Sequence, residues 1–169
     1  MDWDTFLVVI HLIGAALGVG GATFAEIFLL KSLRDGVVDP TEGSFLKITY
    51  RVIRIGLALL VLSGFGFLIL YRLTGLEERL FSPLLWAKLT IVLILLSGVI
   101  AWQAKKVPLW LGSAFSFASW YGAMLIIPLR SVFKNIHAGF FDIILIYIAL
   151  VIITAIVLFG IRRALKIPH

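Results

Sequence analysis

The chain has 169 residues, 62% of them hydrophobic and 14% charged, with a mean hydropathy of +1.11, and soluble domains carry about a quarter charged residues, so a water-soluble fold is excluded. The net charge of +6 does not signal nucleic-acid binding, because the basic residues sit at the ends of apolar runs, where they set membrane orientation. The absence of cysteine excludes disulfides, iron–sulfur clusters, thiolate metal sites and dithiol redox chemistry.

The expected fold is all-α: one transmembrane domain over residues 1–169, an integral membrane bundle of five transmembrane helices. The first apolar run, 5–33, carries only His11, Glu26 and Lys31 as ionisable residues and exceeds the roughly 20 residues that span a bilayer, with Asp4 as a plausible N-cap. The start Met1-Asp2-Trp3-Asp4 has no basic region and the run has no small-residue cleavage signature, so the first helix is expected to stay in the mature protein. Turn formers and charges between Arg34 and Ser44 separate it from a second helix, 45–73, whose start is basic with Lys47, Arg51 and Arg54. A third, 83–104, opens on Ser82-Pro83, an N-cap followed by proline at the first helical position, and stops at Lys105, Lys106 and Pro108. Lys88 is its embedded charge. The fourth, 109–127, ends at Pro128 and Arg130, and the fifth, 140–163, closes on Arg162-Arg163.

Orientation follows from where lysine and arginine fall. Lys31, Arg34, Lys47, Arg51, Arg54, Lys105, Lys106, Arg162, Arg163 and Lys166 share one side, against Arg72, Arg79, Arg130 and Lys134 on the other. The bias puts the N-terminus outside and the C-terminus in the cytoplasm of a multi-pass cell-membrane protein.

An ionisable residue inside a span is costly and marks a candidate functional site. At about 1.5 Å per residue, His11 lies roughly 10 Å below Asp4 and Lys88 roughly 7 Å below Pro83; both helices enter from the outer side, so the two residues reach similar depths and could face each other. Asp142 and Arg130 would ring the same level. For Lys88 the plain alternative is a snorkelling side chain, and for His11 a neutral imidazole bonded to a neighbouring helix.

Below His11, Gly14, Gly18, Gly21 and Ala25 follow at spacings of three and four and form a strip of small side chains on the same face. That strip suits either close helix packing of the small-xxx-small kind or a planar ligand such as a porphyrin, with His11 reaching its metal. Glu26, about 22 Å farther down, is read as mainly structural, with Lys31, Arg51 and Arg54 in reach. His137 would be a second ligand only if its loop dips inward. The tryptophans fall mostly near helix ends, as interfacial belts require.

Several of these features come together in a known group: histidine in the first helix, glycine ten residues on, Ser63-Gly64 within a second helix that starts basic, then Trp86-Ala87-Lys88-Leu89. Over residues 5–102 this resembles the bacterial membrane-bound protoporphyrinogen oxidases of the HemJ type, and more loosely the membrane domain of the copper resistance protein D family. The first resemblance implies a bound haem b, with functional roles for a histidine of helix one and a lysine of helix three, which fall on His11 and Lys88. The chain departs from that pattern where the family has a tryptophan seven residues after the histidine, here Gly18, and a Pro-Arg pair near the end of helix one, here Ala25-Glu26-Ile27. A Cu(I) carrier would want soft sulfur ligands, and the chain offers only Met1 and Met124.

The leading expectation is therefore a haem b-binding membrane redox protein, passing electrons between haem and a quinone or porphyrinogen. His11 would be the axial metal ligand, with Gly14 and Gly18 beside it. Lys88 would be a second ligand or propionate partner, Arg72 or Arg130 further propionate partners, and His11 and Lys88 the catalytic pair. The rivals are a cofactor-free transporter using His11 and Lys88 for protons or an anionic solute, and a structural subunit that binds other membrane proteins through its glycine face. A homo-oligomer is compatible with each.

Overall fold

The computed structural model describes residues 2–32, 39–103, 109–126, 129–135 and 137–164. It contains α1 (Trp3–Ser32), α2 (Pro40–Leu73), α3 (Pro83–Gln103), α4 (Leu109–Leu125), a short α5 (Arg130–Asn135) and α6 (Phe140–Ala164), with a 3-10 turn at Glu77–Phe81. Among the described residues every regular element is helical. Four of the helices, α1, α2, α3 and α6, are long and apolar enough to cross a membrane, and the chain is a membrane protein. The fourth expected span is helical over the 17 residues of α4, about 25 Å long against a hydrocarbon core of about 30 Å.

Helix starts depart from the sequence expectation for local reasons. The α2 helix begins five residues before Phe45, because residues 40–44 are its first turn, capped by Asp39, rather than a loop: the Glu42 N–H donates to the Asp39 carboxylate (2.8 Å) and the Asp39 N–H to the Glu42 carboxylate (3.2 Å), with Pro40 at the first helical position. At α1 the Phe6 N–H donates to the Asp2 carbonyl (3.1 Å), so Asp4 sits inside the first turn, where the helix dipole favours its charge. It is not the N-cap. At α6 the Gly139 N–H donates to Asp142 Oδ2 (2.8 Å), which assigns Asp142 to closing the helix start.

The α1 and α2 helices form an antiparallel hairpin in which Leu7 meets Gly66, His11 meets Ser63, Gly14 meets Leu60, Gly21 meets Ile53 and Phe28 stacks on Phe45. Glycine sets their separation. A Cβ on Gly14 would lie 2.8 Å from the Leu60 backbone nitrogen and 2.9 Å from the Gly56 carbonyl, and one on Gly56 would lie 2.7 Å from the Gly18 nitrogen. The strip is therefore a close helix contact, covered by α2 over Gly14 and by the Trp120 ring over Gly18. Gly20, off the strip, would present a Cβ to open space. Gly20→Ala is accordingly expected to leave the thermal midpoint in detergent unchanged or raised, since alanine is favoured over glycine in a helix by about 0.5–1 kcal/mol.

The α4 helix is the keystone. It packs against α1, α3 and α6, with Ala118, Ser119 and Trp120 fully buried. Trp120 joins Ala22, Ala25, Ile53, Leu57, Leu60 and Leu95 in one core cluster, while Ala87, Ile91, Ile126, Ile143 and Tyr147 form a second between α3, the end of α4 and α6. Ser119 and Tyr147 share a buried hydroxyl bond of 2.8 Å, and Tyr121 meets Thr23 at 2.9 Å. Leu12, Leu62, Phe65, Ile69, Leu93 and Leu145 point outward, as a lipid-facing surface requires. These contacts alternate the long helices in direction. One end gathers the starts of α1, α3 and α6 with the end of α2; the other gathers the ends of α1, α3 and α6 with the starts of α2 and α4.

Candidate functional site

At the first end, His11 is half-buried and its Nδ1 lies 2.9 Å from Ser63 Oγ. The Ser63 hydroxyl also lies 2.7 Å from the Leu59 carbonyl and 3.1 Å from that of Leu60. A hydroxyl has one hydrogen. Were it given to His11, Ser63 Oγ would face two carbonyl oxygens with no proton between them, so the hydrogen goes to Leu59 and His11 Nδ1–H donates to Ser63. That fixes the tautomer, leaving Nε2 with the lone pair. The Phe67 ring meets the imidazole edge-on at 5.8 Å and continues the row to Tyr71.

Lys88, half-buried on α3, lies within electrostatic range of His11, so the two residues that sequence reasoning paired by depth share one end of the bundle. Gly14 and Gly18 lie on the His11 face but are covered by protein. Arg72 pairs with Glu77 at 3.1 Å in an exposed bridge, and Arg79 lies over the Tyr71 ring at 5.3 Å. His137 is exposed in the turn before α6 with a left-handed φ of 51°, and no hydrogen bond or ring contact joins it to His11 among the described residues. The Arg130 side chain lies outside the described residues.

Among the described residues no group of three or more histidine, aspartate or glutamate side chains could hold a metal ion. A single imidazole with a fixed tautomer does not make a protein-only metal centre. A haem iron would bring its macrocycle's nitrogen donors and need one imidazole from the protein, and His11, with Nδ1 bonded to Ser63, is the residue that could supply it.

The opposite end holds a second polar cluster that sequence reasoning missed. Glu26 and Arg162 are 4% and 3% exposed and pair at 2.6 Å through Arg162 Nη2, which also donates to Ser113 Oγ at 2.7 Å. Glu26 thus takes its partner from α6, not from Lys31, Arg51 or Arg54. The signal was present in α6, where Ile143, Tyr147, Leu158 and Arg162 are buried and Arg163 is exposed: Arg162 continues the apolar stripe at a spacing of four. Tyr50 on α2 interacts electrostatically with both members of the pair.

A comparison of the chain with protein-family models, with curated proteins and with solved structures finds no match.

Proposed function

We propose that the chain is a membrane redox protein that binds haem b through His11 Nε2 and exchanges electrons with a quinone or porphyrinogen. The observation carrying this reading is the Ser63–His11 bond, which orients the imidazole and leaves its Nε2 lone pair for a metal. Haem supplies one-electron chemistry when bound. The chain's own residues hold the imidazole in one tautomer, put the Lys88 ammonium in its field and wall the site with Phe67. Lys88 serves as propionate partner through its ammonium, or as second ligand only as the neutral amine, with Arg72 at the end of the adjoining Phe67–Tyr71 row as a further cation for propionates. The resemblance in helices one to three agrees with these assignments.

The setting we propose is a cell membrane crossed five times, with the N-terminus outside. Support comes from the alternating directions of α1, α2, α3, α4 and α6 and from the side on which their flanking lysines and arginines fall. A homo-oligomer would enclose the half-buried imidazole more fully than one bundle does.

The test is the absorbance of detergent-purified variants. His11→Ala is expected to lose the Soret band or shift it, and Ser63→Ala to keep haem with about 10–100-fold weaker affinity, the usual cost of removing a second-shell partner. Ser97→Ala, on the lipid side of α3, should match the parent protein. A His11→Ala spectrum identical to the parent's removes His11 as ligand.

A further inference from the structure

The Glu26–Arg162 pair is nine-tenths buried, yet Glu26 Oε2, Arg162 Nε and Arg162 Nη1 have no hydrogen-bond partner among the described residues. Buried polar groups find protein or water partners, and these three atoms have none among the described residues. Beside them lies a cavity of about 40 Å³ between α2, α3 and α4, lined among others by Tyr50, Arg54, Gly98, Val99, Ser113 and Ser116. That volume exceeds what one water needs. Ser113 is at once a wall of the cavity and an acceptor for Arg162, and Tyr50 is a wall residue that interacts with both Glu26 and Arg162. Arg54, at the rim, is exposed.

We propose that this cavity is a hydrated inlet, by which water enters the bundle from the end carrying Arg54 and reaches the Glu26–Arg162 pair. Gly98 and Gly112 stand in the wall without side chains, and the Phe115 ring packs against Gly98. Tyr50, Ser113 and Ser116 are the hydroxyl-bearing residues of a wall that is otherwise mostly apolar, and an ordered water needs polar partners of this kind. The inlet puts solvent, and with it protons, against a carboxylate otherwise enclosed by α1, α2, α4 and α6. Among the described residues, the charged and titratable groups facing Glu26 from these helices are Tyr50 of α2 and Arg162 of α6. This end of the bundle is remote from His11, so the inference does not depend on a bound haem.

The absence of cysteine allows a direct test with single-cysteine variants in detergent and 2-aminoethyl methanethiosulfonate. The reagent reacts with a thiolate, which forms a mixed disulfide and releases methanesulfinate, and a thiol ionises readily in water and poorly among lipid or detergent tails. Ser116→Cys lies in the cavity wall, whereas Ser97→Cys sits at a comparable depth on the lipid side of α3. The inlet predicts that Ser116→Cys labels at least about ten-fold faster than Ser97→Cys in the folded protein, with equal labelling of both after denaturation. Equal rates in the folded state would overturn it. Val99→Cys reads the opposite wall in the same way if Ser116→Cys does not fold.

Discussion

Arg162→Met is expected to destabilise the bundle by about 3–5 kcal/mol, the range measured when one partner of a buried ion pair is removed and the other charge is left uncompensated. The guanidinium ties three helices: it bonds Glu26 of α1 and Ser113 of α4 from its own place near the end of α6. Removing it strands the Glu26 carboxylate in a site that is 4% exposed. The double variant Glu26→Met with Arg162→Met should recover most of the loss, because apolar side chains of similar size often replace a buried pair at little cost. Denaturant titration of the two proteins in mixed micelles measures both effects. A single variant as stable as the parent would mean that the pair contributes no cross-link between α1 and α6.

The second large effect is expected at Gly56. An alanine Cβ there would lie 2.7 Å from the Gly18 nitrogen and 2.8 Å from the Gly14 carbonyl. Both neighbours are backbone, so no side chain can turn aside and the α1–α2 hairpin must spread. Overpacking of this kind costs about 1–3 kcal/mol, and Gly56→Leu should cost more. Because His11 and Ser63 bridge the same two helices at 2.9 Å, spreading them should also loosen that bond, so a Gly56→Ala protein is expected to lose affinity at His11 together with stability. The control is Gly20→Ala, whose Cβ meets nothing. Similar midpoints for the two alanine variants would contradict the close contact.

Much of this architecture is legible in the sequence because membrane helices announce themselves by length and apolarity. The runs at 5–33, 45–73, 83–104 and 140–163 correspond to α1, α2, α3 and α6, residues 33 and 104 lying outside the described ones, and the largest error is at the start of α2, where a polar capping box looks like a loop. The depth argument that paired His11 with Lys88 needed only helix rise and alternating direction, and the two do share one end. The glycine strip was ambiguous between ligand and helix because spacing shows which face is smooth without showing what covers it; Trp120, about a hundred residues away in the chain, covers Gly18. Arg162 was hidden for a related reason. An arginine at a helix end reads as interfacial, and only the packing of α6 on α4, from which Arg162 reaches Glu26 of α1, turns it inward. Its register with Leu158 and Tyr147 was the available sign.

Binding of haem through His11 Nε2 is our proposal. It is tested most directly by the absorbance spectrum of the protein purified in detergent from haem-replete cells, taken as isolated and after dithionite. A Soret band that shifts on reduction is the predicted result. A colourless preparation of folded protein from the same cells would contradict it.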